Sequence, residues 1–140
     1  MPVAQHVILP DHILSAVLAL AKQELVKNDP SKTRLAFRSH NFQFQEIFNE
    51  LRQTDKYSLL DAFVFSDIGP EPYSPALNES VSRLQLSGLI GRENPDYEVV
   101  FLRPAADQFF TEVLSSEFDV PQIQQLTEIA SQFLSRVRIV

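Results

Sequence analysis

Three histidines, His6, His12 and His40, are the first residues to weigh for chemistry. A metal site needs several ligands on one surface, commonly His or carboxylate pairs at helical spacing. None of these histidines meets a second ligand at such a spacing on a well-supported helix face. Asp11 and His12 are adjacent and point to different faces. The chain has no cysteine, which excludes thiol catalysis, thiolate zinc and a disulfide framework. Its three glycines form no phosphate-cradling loop, and no G-x-S-x-G elbow occurs. Asp61 and Asp67 lie closest to an apolar run, beside Phe63 and Phe65, and read as a cap and a turn residue. The expectation is a non-enzymatic protein with no metal and no cofactor.

The elements that would position any site follow from periodicity. With 140 residues the chain is one ordinary domain by length, expected over residues 1–140. Residues 1–10 read as an extended arm. Asp11 reads as the N-cap of a helix whose apolar face is Ile13, Leu14, Val17, Leu18, Ala21 and Leu25, ended by Asn28-Asp29-Pro30. Ile13 to Ala21 imitates a signal-peptide core, yet Met1 to His12 carries no Lys or Arg. A buried helix, no membrane association and a cytoplasmic location are expected.

Thr33 to Arg38 alternates, with Leu35 and Phe37 on one side and Arg34 and Arg38 on the other, as in a half-buried strand. Asn41 to Gln53 carries Phe44, Ile47, Phe48 and Leu51 at helical spacing, with Ser39 or Asn41 as cap. Leu60 to Ser66 alternates Phe63 and Phe65 with Ala62 and Val64 and reads as a strand. A short helix, capped by Ser58 with Asp61, is the alternative. Asp67 to Pro75 is a stiff, proline-rich turn.

Ser74 then caps a helix with Pro75 at its first position, and Gly88 ends it. Leu89-Ile90 and Tyr97 to Leu102 form a ribbon around the polar tip Gly91 to Asp96. A helix over Pro104 to Leu114 follows. Asp119 caps a last helix, residues 121–140, whose Ile123, Leu126, Ala130, Phe133 and Val137 recur at alternating spacings of three and four. That stripe is either core packing or a homodimer seam.

Helix followed by ribbon is the winged form of the helix-turn-helix, so the expected class is α+β, mainly α. The run Gly69-Pro70, Tyr73-Ser74-Pro75-Ala76-Leu77, Leu84 and Gly88-Leu89-Ile90 resembles the YwgA-like and Panacea-type small bacterial and phage proteins. The likeness covers about residues 60–102, and Glu71-Pro72 is an insertion relative to that pattern. It implies a winged-helix fold and a regulatory, antitoxin- or adaptor-like role exerted through protein contacts, without a catalytic residue.

The helix after Ser74 presents two kinds of candidate. Tyr73, Glu79 and Leu86, with the proline-rich loop, suit an apolar protein contact rimmed by polar groups. Asn78, Ser82, Arg83 and Gln85, with Arg92 at the ribbon tip, suit DNA, and Arg34 and Arg38 could supply a patch elsewhere. A net charge of -6 and the placement of Glu79 disfavour phosphate. A protein partner is the leading expectation and a DNA-binding regulator the alternative. Charge is also asymmetric: Lys22 to Lys56 is basic, whereas Pro104 to Ser135 has no Lys or Arg.

Overall fold

The apolar arc of the N-terminal helix is the centre of the fold. In the computed structural model, which describes residues 8–39, 43–93 and 99–140, this helix is α1 (Pro10–Asn28). Ile13 through Ala19 are all buried, because a helix that is apolar nearly all round must be covered on several sides. α3 (Pro75–Leu86), α4 (Pro104–Glu112) and α5 (Val120–Arg136) cover it. Among the described residues, no helix is long and apolar enough to cross a membrane.

Between α1 and α3 lie β1 (Ala36–Arg38), α2 (Gln43–Gln53) and a 3-10 turn over Ser58–Ala62. β2 (Ile90–Glu93) and β3 (Val99–Leu102) follow α3, and β4 (Arg138–Ile139) follows α5. The result is a mainly helical α+β protein with one antiparallel sheet in the order β2-β3-β1-β4. Phe37 pairs with Val100 and with Ile139, so these share the core-facing side. The Phe37 ring meets Phe44 and Phe133 edge-on, at centroid distances of 5.7 and 5.4 Å.

Local signals hold where they are strongest. The Ser74 hydroxyl accepts from the Leu77 N–H at 3.3 Å, with Pro75 opening α3. Gly88 takes φ +80, and Leu89 N–H returns to the Leu84 carbonyl at 3.0 Å. Asp119 and Gln122 form a reciprocal capping box on α5. Of the strand expected over Thr33 to Arg38, Ala36–Arg38 forms β1, with Ala36 buried as well as Phe37.

Four expectations are corrected. Asp11 is not the N-cap of α1; Leu9 occupies that position and Pro10 starts the helix. Leu60 to Ser66 is not a strand. Its first part is the 3-10 turn, held to α5 by Leu59 N–H donating to Gln125 Oε1 at 2.7 Å and Tyr57 Oη donating to Glu128 at 3.0 Å. Within the turn, Leu60 N–H donates to the Tyr57 carbonyl and Phe63 N–H to the Leu60 carbonyl, so these backbone groups are paired locally and not across a sheet. Gly91 to Glu93 belong to β2 rather than to a turn. The last helix stops at Arg136, and the chain end becomes β4 because β1 offers it a free edge.

The stripe on α5 is not a free homodimer seam. Leu126, Ala130, Phe133 and Val137 are buried in the protein's own core, and Ile123 packs against it. Phe133 touches the rings of Phe37, Phe44 and Phe48. The arm over residues 1–7, His6, His40, the Asn41 cap and the tip residues 94–96 lie outside the described residues, as do Tyr97 and Glu98.

Candidate functional site

α3 places the candidate residues by burying Leu77, Ser80, Val81 and Leu84. Asn78, Glu79, Ser82, Arg83, Gln85 and Leu86 are thereby left exposed. The guanidinium of Arg83 is already engaged. It donates to both carboxylate oxygens of Asp11, Nε at 2.6 Å and Nη2 at 2.9 Å, and Glu79 lies 3.6 Å from Nη1. Ser80 Oγ donates to the same Asp11 carboxylate at 2.6 Å. Burial acts to raise the Asp11 pKa, but the hydrogen bonds from Arg83 and Ser80, together with the nearby positive charge, outweigh it and hold the carboxyl below its ordinary value.

Arg92 does not reach the ribbon tip. It pairs across the ladder with Val100, on the side of Phe37, and its Nη1 donates to the Ser39 carbonyl at 3.5 Å. Burial pulls its pKa down. The two cations expected to serve α3 as DNA contacts are thus one ion-paired and one half-buried.

The loop before α3 carries a second feature. Ser66 and Tyr73 form an isolated antiparallel bridge, with N–H to O=C distances of 2.8 and 3.2 Å. Ile68 N–H donates to Ser66 Oγ at 3.2 Å, and Gly69 turns the chain at φ +115. The bridge closes a short loop on which Ile68 is 92% exposed; Tyr73 at its end is 37% exposed, and Val64, two residues before the bridge, 65%. Leu86 is 88% exposed at the far end of α3. A helix of this length spans roughly 17 Å. Tyr73 and Leu86 therefore do not share the one patch that the sequence suggested; Tyr73 sits on the same bridged loop as Ile68, and Val64 is exposed just before it. Val64 and Ile68 were missed because each reads as an ordinary member of a strand or a turn.

Leu86 instead borders an open cleft of about 610 Å³ between α1, the C-terminal end of α3 and α4. Its polar wall is Asp11, His12, Arg83 and Ser87. Leu84, Leu89 and Phe109 supply apolar surface. His12 Nδ1 lies 2.7 Å from Glu117 Oε2, and its ring stands 5.7 Å from that of Phe109. Ser15 also lines the cleft, and its buried hydroxyl has no hydrogen-bond partner.

No family model matches the chain, and neither a curated protein nor a solved structure matches it.

Four other arginines gather elsewhere. Ala36 pairs with Phe101, and Arg38 with both Val99 and Arg138, so these residues share the face of the sheet opposite Phe37. Arg34 and Arg103 lie over the Phe101 ring, 5.1 and 5.0 Å from its centroid, and Arg34 is ion-paired to Glu93. Arg34 and Arg38 thus lie with Arg103 and Arg138 on one face, away from Arg83 and Arg92. Alternation within Arg34 to Arg38 signalled this face in part; Arg103 and Arg138 join it only through strand pairing. Among the described residues, no group of three His, Asp or Glu side chains could hold a metal ion.

Proposed function

We propose that this chain is a cytoplasmic, non-enzymatic regulatory module on a winged-helix scaffold that binds a protein partner through the loop from Phe63 to Tyr73. The scaffold reading is supported by element order: α1, β1, α2, α3, then the ribbon β2-β3, with β1 laid against β3. The sequence likeness to YwgA-like and Panacea-type proteins falls on the same stretch. The chain departs from a tight helix-turn-helix, because Thr54 to Ser74 replaces the usual short turn between α2 and α3.

One observation carries the interaction reading. Ile68 is almost fully exposed on a loop that is closed by a backbone bridge. Isolated apolar residues on a surface are ordinary. Ile68 and Tyr73 on a bridge-closed loop, with Val64 exposed just before it, are a better binding surface, because an ordered loop loses less entropy on association. A photo-crosslinking residue at position 68, with exposed Ser135 as control position, tests this in producing cells. A discrete adduct at 68 and none at 135 is expected; equal labelling at both removes the reading.

A nucleic-acid reading is favoured by a different observation, the exposed face carrying Arg34, Arg38, Arg103 and Arg138 around Phe101. It would place the polyanion on the sheet rather than on α3. Titration of a random duplex at low and raised salt decides it. Micromolar affinity with a steep salt slope, lost in Arg103→Glu with Arg138→Glu, would make nucleic acid the leading partner.

A further inference from the structure

We propose that the cleft between α1, α3 and α4 is a binding site for a small uncharged molecule made of an apolar ring and one hydroxyl group, an aromatic or alicyclic alcohol. Its volume of about 610 Å³ suits a ligand of that size. Leu84, Leu89 and Phe109 offer the apolar contact.

The polar wall selects the head group. The Asp11 carboxylate is engaged by the two-pronged contact from Arg83, and the His12 ring by Glu117. A charged ligand would have to break one of these pairs, so an uncharged one is favoured. In the tautomer that places its proton on Nδ1, toward Glu117, the His12 ring offers Nε2 as an acceptor. Ser15, 2% exposed, brings a hydroxyl with no partner, and buried polar groups are ordinarily satisfied. A ligand hydroxyl both donates and accepts, so one group can serve His12 Nε2 and Ser15 Oγ together. The inference does not depend on the Phe63–Tyr73 loop, which lines no part of the cleft.

The test uses 2-naphthol as probe, with naphthalene and 2-naphthoate as comparison ligands, followed by fluorescence and by amide shifts in NMR. Saturable binding of 2-naphthol is expected, with shifts concentrated at Leu89 and Phe109 and markedly weaker binding of the anion. Ser15→Ala is helix-compatible and should erase the preference for 2-naphthol over naphthalene. Ser87→Trp, at the exposed rim, should weaken both. The proposal is overturned by absence of saturable binding, by equal or tighter binding of 2-naphthoate, or by affinities that neither variant changes.

Discussion

The side-chain amide of Gln45 holds both backbone groups of Ser74. Its Nε2 donates to the Ser74 carbonyl at 3.1 Å, and its Oε1 accepts from the Ser74 N–H at 2.7 Å. Both residues are buried, so α2 is locked to the N-terminus of α3 where a tight turn is absent. The Ser74 carbonyl has a second donor in Asn78 N–H at 3.1 Å, whereas its N–H depends on Gln45. Gln45→Leu would leave that buried N–H without a partner, at a cost of about 1–3 kcal/mol. Urea unfolding should show a lowered midpoint with an unchanged slope; an unchanged midpoint would mean that water replaces the amide.

Phe133 sits among Phe37, Phe44 and Phe48 rather than on an intermolecular seam. Phe133→Ala should therefore cost about 3–5 kcal/mol of folding stability. Any folded fraction should keep the parent's mass by light scattering. Phe133→Asp should unfold the protein; a well-folded protein of half the parent mass would restore the seam on α5.

The Asp11 carboxyl is held below its ordinary pKa, so its contribution to stability has a definite sign with pH. It is fully present above the unfolded value, near 3.9, and is lost as pH falls through the lower folded value. Asp11→Asn should cost about 1 kcal/mol at pH 6. The gap between the two proteins should close under acid. Chemical denaturation of both at pH 6 and pH 3 checks this, and a gap that widens at pH 3 contradicts it.

Gly91 makes room for Phe101. A Cβ there would lie 2.6 Å from Phe101 Cζ and 2.8 Å from Arg103 Nη2. The ring thus lies against the glycine backbone, with Arg34 and Arg103 over it. Gly91→Ala should displace ring and guanidinium and cost about 1–3 kcal/mol. If nucleic acid binds this face, affinity should fall as well. A melting temperature equal to the parent's would show that the ring moves aside without strain.

Much of the scaffold could be read from residues close together in the chain. The Ser74 and Asp119 caps, the Gly88 stop, the apolar arc of α1 and the split of Arg34 and Arg38 from Phe37 all depend on partners a few residues away. The element boundaries that failed share another cause. Ala62 to Phe65 has strand-like alternation, but the segment before it closes into a 3-10 turn, Leu60 N–H on the Tyr57 carbonyl and Phe63 N–H on the Leu60 carbonyl, and Tyr57 and Leu59 tie that turn to Glu128 and Gln125 of α5. The final residues continue a helical stripe, yet the open edge of β1 captures Arg138 and Ile139 as a strand.

The candidate sites were less legible than the scaffold. Tyr73, Glu79 and Leu86 are exposed, but which of them lie together depends on where the loop and the end of α3 lie. Arg83 reads as a free cation until α1 brings Asp11 to it, and His12 reads as isolated until Glu117 arrives from beyond α4. Caps, stops and periodicity were written in the chain because they rest on short-range geometry. Which charges are neutralised, which hydroxyl is left without a partner and which arginines share a face were decided by tertiary structure. Those properties arise from contacts between distant segments, and no local spacing encodes them.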